Sequence, residues 1–503
     1  MADPALSGTD VAHDTPKTLP DHRSTVRALT FNMASIVVGK VIAVVIGLVS
    51  IALITRALGP DGYGAYRTIL TFVSFVSIAS DLGLQIVVLR ELGRPGRDHG
   101  RLMGAAMLLR MLLSAAVMAA GALVSLVMPY DSTIVQGILV AAPYYVVFQA
   151  AMMLQSVFQR HLRQGQQAIS ETVGGLVMLG LVWLAVQADA GVVPMVGAML
   201  GGGFVQLLVA WPLAQRLQRF RPTVDLPIWR ELMATGLPIA GSRVILSTIL
   251  RGDILLLSLL ATDAAVGLYG VPSKMFEILI TLAVLFNGML MPMLVTALAE
   301  KDEAAARATG GHAITAMLIF GGGVIAAFAA FPAEVLTVVA GPEFAVAAPA
   351  LTIVAVAIAA NAVAQVYRHM LTAMDLQRQA FLTDCIGLGV ALVSYFTLIP
   401  RFSYLGAAFG TALTETALCL GLMAAVAWSG VWPPILSALV KAVLVTALSI
   451  AAMLGLARLG LFWPLALVAG GLVFLGLTVI VRLAPPAYLE AMLKRKKRQP
   501  AAS

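Results

Sequence analysis

Apolar residues occur along this chain in long unbroken runs, not with the alternation of a strand or the one-sided stripe of a surface helix. Fourteen runs stand out, at 31–54, 65–84, 102–126, 132–156, 170–187, 192–213, 235–259, 266–297, 312–331, 345–367, 380–399, 405–427, 435–456 and 461–481. About 20 apolar residues carry a helix across a bilayer, so each run reads as a membrane-spanning helix. The run at 266–297 is too long for one straight crossing, which predicts a tilt, a kink or a part lying outside. The segments between runs are mostly short, and none houses a globular domain. The expected fold is an all-α polytopic membrane protein with about 14 transmembrane helices, the last two added to a core of twelve.

Composition narrows the class. Of 503 residues, 60% are apolar and 12% are charged, against about 45–50% and about 25% in soluble domains. The mean hydropathy of +0.93 excludes a soluble enzyme with a single anchor, a disordered chain, a disulfide scaffold and a coiled coil. Cys385 and Cys419 both fall in apolar runs and read as small buried hydrophobes. No metal-ligand spacing, nucleophile elbow or phosphate-binding loop is present, so an enzyme is not expected.

The net charge is +8, from 33 Lys and Arg against 25 Asp and Glu. With the N-terminus placed in the cytoplasm, 23 of the cations fall in inside segments, 4 outside and 6 within runs. This positive-inside bias puts both termini in the cytoplasm. Residues 1–28 read as a disordered tail without a signal peptide. The lobes are expected at 29–215 and 234–428, joined by a cytoplasmic linker at 216–233. Helices 13 and 14 follow at 429–482, and a basic tail at 483–503. That tail carries five consecutive basic residues from Lys494 and suits anionic membrane lipid.

An internal repeat links the halves. Aligning Gly64-Ala65-Tyr66 on Gly267-Leu268-Tyr269 gives an offset of 203, which also places Lys40 on Arg243. A looser pair, Arg160-His161 and Arg368-His369, has an offset of 208. A repeat of six helices preserves orientation, so it predicts two pseudo-symmetric six-helix lobes around a central cavity.

Ionisable groups at bilayer depth are costly and usually face a cavity or a partner. They gather in the first two helices of each half: Lys40, Arg67 and Asp81; then Arg243, Arg251, Asp253, Lys274 and Glu277. Five are cationic, and a wet cavity so lined suits a phosphate-like anion. The same groups also read as structural ion pairs, with Lys274 and Glu277 the obvious case. Asp253, Asp81 and Glu277 are candidates for coupling or gating. Arg110 and Lys441, near inner helix ends, are expected to snorkel. Gln149, Asn287, Asn361 and Gln365 are candidate polar liners of a sugar cavity, or interhelical hydrogen bonds. Gly197/Gly201 and Gly406/Gly410 read as close-packing positions.

The segment Leu58-Gly-Pro-Asp-Gly-Tyr-Gly-Ala-Tyr66 resembles the polysaccharide-transporter family of bacterial oligosaccharide-lipid flippases, in the MOP exporter superfamily. Asp253-Ile-Leu-Leu-Leu, Val266-Gly-Leu-Tyr269 with Lys274, and Gly341-Pro-Glu-Phe344 are similar to further elements of that family. The resemblance implies a V-shaped, MATE-like transporter working by alternating access in the bacterial inner membrane. Its implied substrate is an undecaprenyl-pyrophosphate-linked oligosaccharide, moved to the periplasmic leaflet for O-antigen or exopolysaccharide synthesis. Lys40, Arg67, Arg243, Arg251 and Lys274 would hold the pyrophosphate. No cofactor is expected, while coupling to a proton or sodium gradient or to the membrane potential stays open. A polymerase and export machinery are implied partners, nucleic acid is not, and a monomer is expected. The alternatives are a MATE-type drug or cation antiporter and a lipid II flippase; the surplus of cations argues against the first.

Overall fold

The computed structural model describes residues 22–483 except 82, 95, 288–289, 301 and 431–434; the side chains of 22–37, 238–243, 246, 285–286, 292 and 299 also lie outside the description. The described residues form helices and contain no strand. The basic tail at 483–503 lies outside them apart from Leu483.

Helix α1 runs His22–Asp81, so residues 22–28 of the expected tail are helical. Sixty residues at 1.5 Å each measure about 90 Å, far more than one bilayer core. Gly59 breaks it, at φ 64° and ψ −174°, a conformation reserved for glycine. Pro60 then opens a second arm, where its missing N–H leaves no helical bond unmade. The first half continues with the short α2 (Leu84–Leu92), α3 (His99–Ser125), α4 (Ser132–Arg160), α5 (Gln164–Gln187) and α6 (Val192–Leu217). The second half holds α7 (Leu226–Leu260), α8 (Asp263–Asn287), α9 (Leu290–Ala299), α10 (Glu303–Ala330), α11 (Pro332–Ala340), a 3-10 turn at Pro342–Ala347, α12 (Ala348–Ala373), α13 (Gln377–Phe402) and α14 (Tyr404–Trp428). Helices α15 (Leu436–Arg458) and α16 (Trp463–Ile480) close the chain.

Twelve segments among the described residues are long and apolar enough to cross a membrane. One of them, Val38–Asp81, contains both arms of α1. With those arms counted separately the segments number thirteen, against the fourteen that the apolar runs predict; the 35-residue α7 is long enough to cross but is not one of the twelve. The overlong run at 266–297 resolves into α8 and α9. The connection between halves is shorter than 216–233. Helix α6 extends to Leu217, and Asp225 caps α7 by accepting from the Ile228 N–H at 3.3 Å.

Within the first half, α5 and α4 pack on α6, and α3 on α4. Within the second, α12 and α13 pack on α14, and α10 on α12. Helix α15 lies against α10 and α16. The halves meet where α1 lies along α8 and α7. The first turns of α7 belong with the other half, because Ile228, Trp229 and Leu232 pack among α2, α3 and α4 residues.

Glycines set the closest helix approaches. A Cβ on Gly406 would fall 2.2 Å from the Leu398 carbonyl oxygen, one on Gly410 2.5 Å from the Tyr395 ring, and one on Gly201 2.4 Å from Leu181. Gly197 is looser, with its nearest neighbour at 3.9 Å. Neither cysteine is a fully buried hydrophobe: Cys385 is exposed on α13 and Cys419 is half-buried on α14.

Candidate functional site

The second arm of α1 carries the site. Arg67, Ser74 and Asp81 are seven residues apart, two turns each, so they share one face. They form a polar ladder about 21 Å long. Each rung is met by another helix.

At the first rung, Arg67 Nη2 donates to Glu277 Oε1 at 3.3 Å, and Lys274 Nζ donates to Glu277 Oε2 at 2.7 Å. The expected Lys274–Glu277 ion pair is therefore real, and Arg67 joins it. The Arg67 side chain is 7% exposed, while those of Lys274 and Glu277 are 34% exposed. At the second rung, Arg251 Nη1 of α7 donates to Ser74 Oγ at 2.6 Å. At the third, Arg110 Nη2 of α3 meets Asp81 Oδ1 at 2.7 Å and donates to Gln149 Oε1 at 3.0 Å. Gln149 in turn donates to Ser80 Oγ at 2.8 Å.

Arg110 does not snorkel. Its side chain is 2% exposed, because Asp81 lies within reach on the neighbouring helix. A cavity of about 270 Å³ follows the lower two rungs, lined by Ser74, Ser77, Asp81, Gln85, Arg110, Gln149, Ser247 and Arg251. Three rings of α4, Tyr144, Tyr145 and Phe148, face it as well, with Tyr144 and Tyr145 edge to face at 5.1 Å. Tyr145 also donates to the Leu70 carbonyl at 3.3 Å.

Beside this ladder the second half holds a buried network. Asp253 accepts from the Tyr269 hydroxyl at 2.6 Å and from the Ile254 N–H at 2.7 Å. Tyr269 also meets Thr411 Oγ1 at 2.8 Å, which meets the Tyr395 hydroxyl at 3.1 Å. Deeper still, Asn361 donates to Glu415 Oε2 at 2.8 Å. Asp253 and Arg251, two residues apart, are not partners.

The predicted residues separate as follows. Arg67, Arg251, Lys274 and Glu277 come together, with Asp81 and Gln149 further along the same face. Lys40 does not join them. It stands 19 residues before Gly59 where Arg67 stands 8 after, about 16 Å apart in depth, and it faces Glu171 of α5 at 4.0 Å. Arg243 lies on α7, but its side chain is outside the described residues. Asn361 belongs to the Glu415 pair. Gln365 is half-buried, and its carbonyl accepts from His369 at 2.6 Å. Asn287 is buried, with neither amide atom bonded among the described residues.

Ser74, Ser247, Gln85 and the α4 aromatics went unmarked in the sequence. The seven-residue spacing of Arg67, Ser74 and Asp81 is the signal that finds the first of them. The tyrosines carry no such signal, because an aromatic in an apolar run looks the same facing lipid or a cavity.

Beyond the Arg67 rung the halves close on each other. A Cβ on Gly64 would fall 1.8 Å from the Asp263 carbonyl oxygen, and one on Gly267 would fall 1.9 Å from that of Pro60. Phe344 of the 3-10 turn stands edge-on to Tyr63 at 5.9 Å. Arg56 donates to the Val338 and Thr337 carbonyls, at 2.6 and 3.3 Å, near the end of α11.

The sequence matches the family model for polysaccharide biosynthesis proteins (Polysacc_synt) over residues 29–298. No curated protein sequence matches. Among solved structures the fold is similar to lipid II flippase MurJ in an inward closed conformation, with 10% identity, a TM-score of 0.72, and coverage of 90% of this chain and 99% of that one. It is also similar to an inward-facing multidrug-resistance MATE transporter of the MOP superfamily, with 13% identity, a TM-score of 0.63, and coverage of 77% and 95%. A MOP superfamily transporter from Pyrococcus furiosus, whose binding pocket is described as of reverse polarity, matches with 12% identity, a TM-score of 0.57, and coverage of 80% and 96%. At these identities the likeness establishes a shared fold.

Proposed function

Since the chain belongs to the polysaccharide biosynthesis protein family and is a multi-pass membrane protein with a MOP-type transporter fold, we propose that it is a flippase for oligosaccharides linked to undecaprenyl pyrophosphate. It would carry them from the cytoplasmic to the periplasmic leaflet of the bacterial inner membrane by alternating access, without covalent chemistry. The carrying observation is that Arg67 and Lys274 share one carboxylate, Glu277, while Arg251 stands two turns along the same face on the Ser74 hydroxyl. Three cations against Glu277 and the nearby buried Asp253 leave a surplus of positive charge in a site that is partly open to water at Lys274 and Glu277. A pyrophosphate diester carries one ionised oxygen on each phosphorus and matches the sign of that surplus. Arginine supplies forked donors and lysine a compact charge. The rings of Tyr144, Tyr145 and Phe148 offer flat apolar faces to sugar rings in the adjoining cavity.

The positive-inside bias orients the chain with both termini in the cytoplasm. The cavity then lies on the cytoplasmic side of the Gly64–Gly267 seal, where a lipid-linked substrate is loaded. Asp253 supports a coupling role, since its carboxylate is buried and its bonds come from a tyrosine and a backbone N–H. An exporter of organic cations calls for a cavity of the opposite sign.

The test is export of surface polysaccharide by Arg67→Gln, Arg251→Gln and Lys274→Gln, singly and together, in a host lacking the wild-type gene. Each loss of a charge-assisted bond should weaken substrate binding roughly tenfold or more. The triple variant should insert in the membrane and export nothing. Undiminished export by the inserted triple variant would rule the proposal out.

A further inference from the structure

The connection between the halves carries a second basic cavity, unrelated to the transport ladder. Residues 218–225 lie flat across the start of α3, and two glycines permit it. A Cβ on Gly100 would fall 2.7 Å from the Arg219 carbonyl oxygen, and one on Gly104 1.9 Å from that of Arg221. The loop is fixed from both sides. Gln215 Nε2 donates to the Phe220 carbonyl at 2.7 Å, and the Phe220 N–H donates back to Gln215 Oε1 at 3.2 Å. Gln218 Nε2 donates to the His99 carbonyl at 2.8 Å and Gln218 Oε1 accepts from Arg160 at 3.1 Å. The Phe220 ring is buried, edge to face with Trp211 at 5.2 Å.

Beside this frame lies an open cavity of about 560 Å³, lined by Arg101, Arg219 and Arg221 with Gln215, Phe220 and Thr223. Asp225 engages Arg101 at 2.5 Å. Arg219 and Arg221 are exposed and make no ion pair among the described residues. Arg101 and Arg110 are nine residues apart on α3, two and a half turns, so they face opposite sides of the helix. The cavity therefore does not open onto the ladder. Its depth is that of lipid headgroups: α3, with 27 residues, measures about 40 Å and outreaches a hydrocarbon core of about 30 Å. Two tryptophans, a residue type that gathers at membrane interfaces, lie close by: Trp211 against the Phe220 ring, and Trp229 donating to the Ala105 carbonyl of α3 at 2.9 Å.

We propose that this cavity binds the phosphate of an anionic phospholipid headgroup through Arg219 and Arg221. The volume exceeds what one phosphate ion needs and suits a headgroup with its glycerol. Two guanidinium forks on a fixed backbone give the phosphate a preformed seat.

The test uses the full chain in nanodiscs of phosphatidylcholine alone and of phosphatidylcholine with phosphatidylglycerol. Native mass spectrometry after release into detergent reads retained phosphatidylglycerol, and thermal unfolding reads its protection. Arg219→Gln with Arg221→Gln should lower retention and remove the protection, at roughly tenfold in affinity for each arginine. The variant should unfold like wild type in phosphatidylcholine alone. Arg219→Lys with Arg221→Lys, which keeps the charge, should recover part of the retention and serves if the glutamine variant does not fold. Arg458→Gln should change nothing. Equal retention by wild type and the glutamine variant overturns the proposal. So does protection by inorganic pyrophosphate without retention of phosphatidylglycerol, which would assign the cavity to a soluble phosphate.

Discussion

Gly64 and Gly267 meet backbone to backbone, and the contact is reciprocal. The carbonyl facing Gly64 is that of Asp263, and the carbonyl facing Gly267 is that of Pro60. Pro60 and Asp263 are themselves 203 positions apart, like the two glycines. Each half thus presents the same surface to the other, the signature of a two-fold axis passing between them. The axis runs through the seal at the end of the cavity.

A methyl group at either glycine has nowhere to go without parting the second arm of α1 from α8. Overpacking of this kind costs about 1–3 kcal/mol. Gly64→Ala and Gly267→Ala should therefore loosen the seal and lower export. In a background without Cys385 and Cys419, a thiol at position 67 should react with a membrane-impermeant maleimide added from the seal side only when one glycine is replaced. Equal labelling with both glycines intact would show that the contact does not close the path.

The offset of 203 was legible because it rests on residues that the fold forces to be small. The offset of 208 was not reliable. The residues ending α4 and α12 in left-handed backbone are Leu162 and Asp375, 213 apart. Arg-His after an apolar run recurs at helix ends whatever the register. Depth and pairing were the harder quantities. Lys40 shares a repeat position with Arg243, yet its distance from Gly59 removes it from Arg67. Arg110 looked free to snorkel because its partner Asp81 lies 29 residues away on another helix. Helical periodicity says which face a residue occupies, but not which helix will meet it.

The Glu277 cluster admits a charge swap. If Lys274 and Glu277 serve only to hold α8 together, Lys274→Glu with Glu277→Lys should restore what either single change loses. If Lys274 and Arg67 hold an anionic substrate, the swapped pair should insert and remain folded but not export. Rescue of export by the swap would reduce the pair to a structural role.

The Asp81–Arg110 pair is a question of stability. Removing one member of a buried pair leaves a charge without its partner, at about 3–5 kcal/mol, whereas replacing both by apolar residues of similar volume is often close to neutral. Arg110→Met should thus lower thermal stability in nanodiscs more than Asp81→Leu with Arg110→Met. Because Arg110 also anchors Gln149, the double variant should recover stability without recovering full export.

Tyr66 and Tyr269 occupy the same position in the two halves, but their hydroxyls do different things. Tyr66 points at the thioether of Met199 at 3.3 Å, a weak acceptor. Tyr269 donates to the buried Asp253 carboxylate at 2.6 Å, a charge-assisted bond. Tyr66→Phe should leave stability within about 0.5 kcal/mol of wild type. Tyr269→Phe strips a buried carboxylate of a donor and should cost about 1–3 kcal/mol. If Asp253 couples transport to an ion, Tyr269→Phe should also shift the dependence of export on the imposed proton or sodium gradient, while Tyr66→Phe leaves it in place. Indistinguishable unfolding curves and gradient responses for the two variants would mean that the symmetry of the fold extends to its chemistry, and that Asp253 has no special part in the cycle.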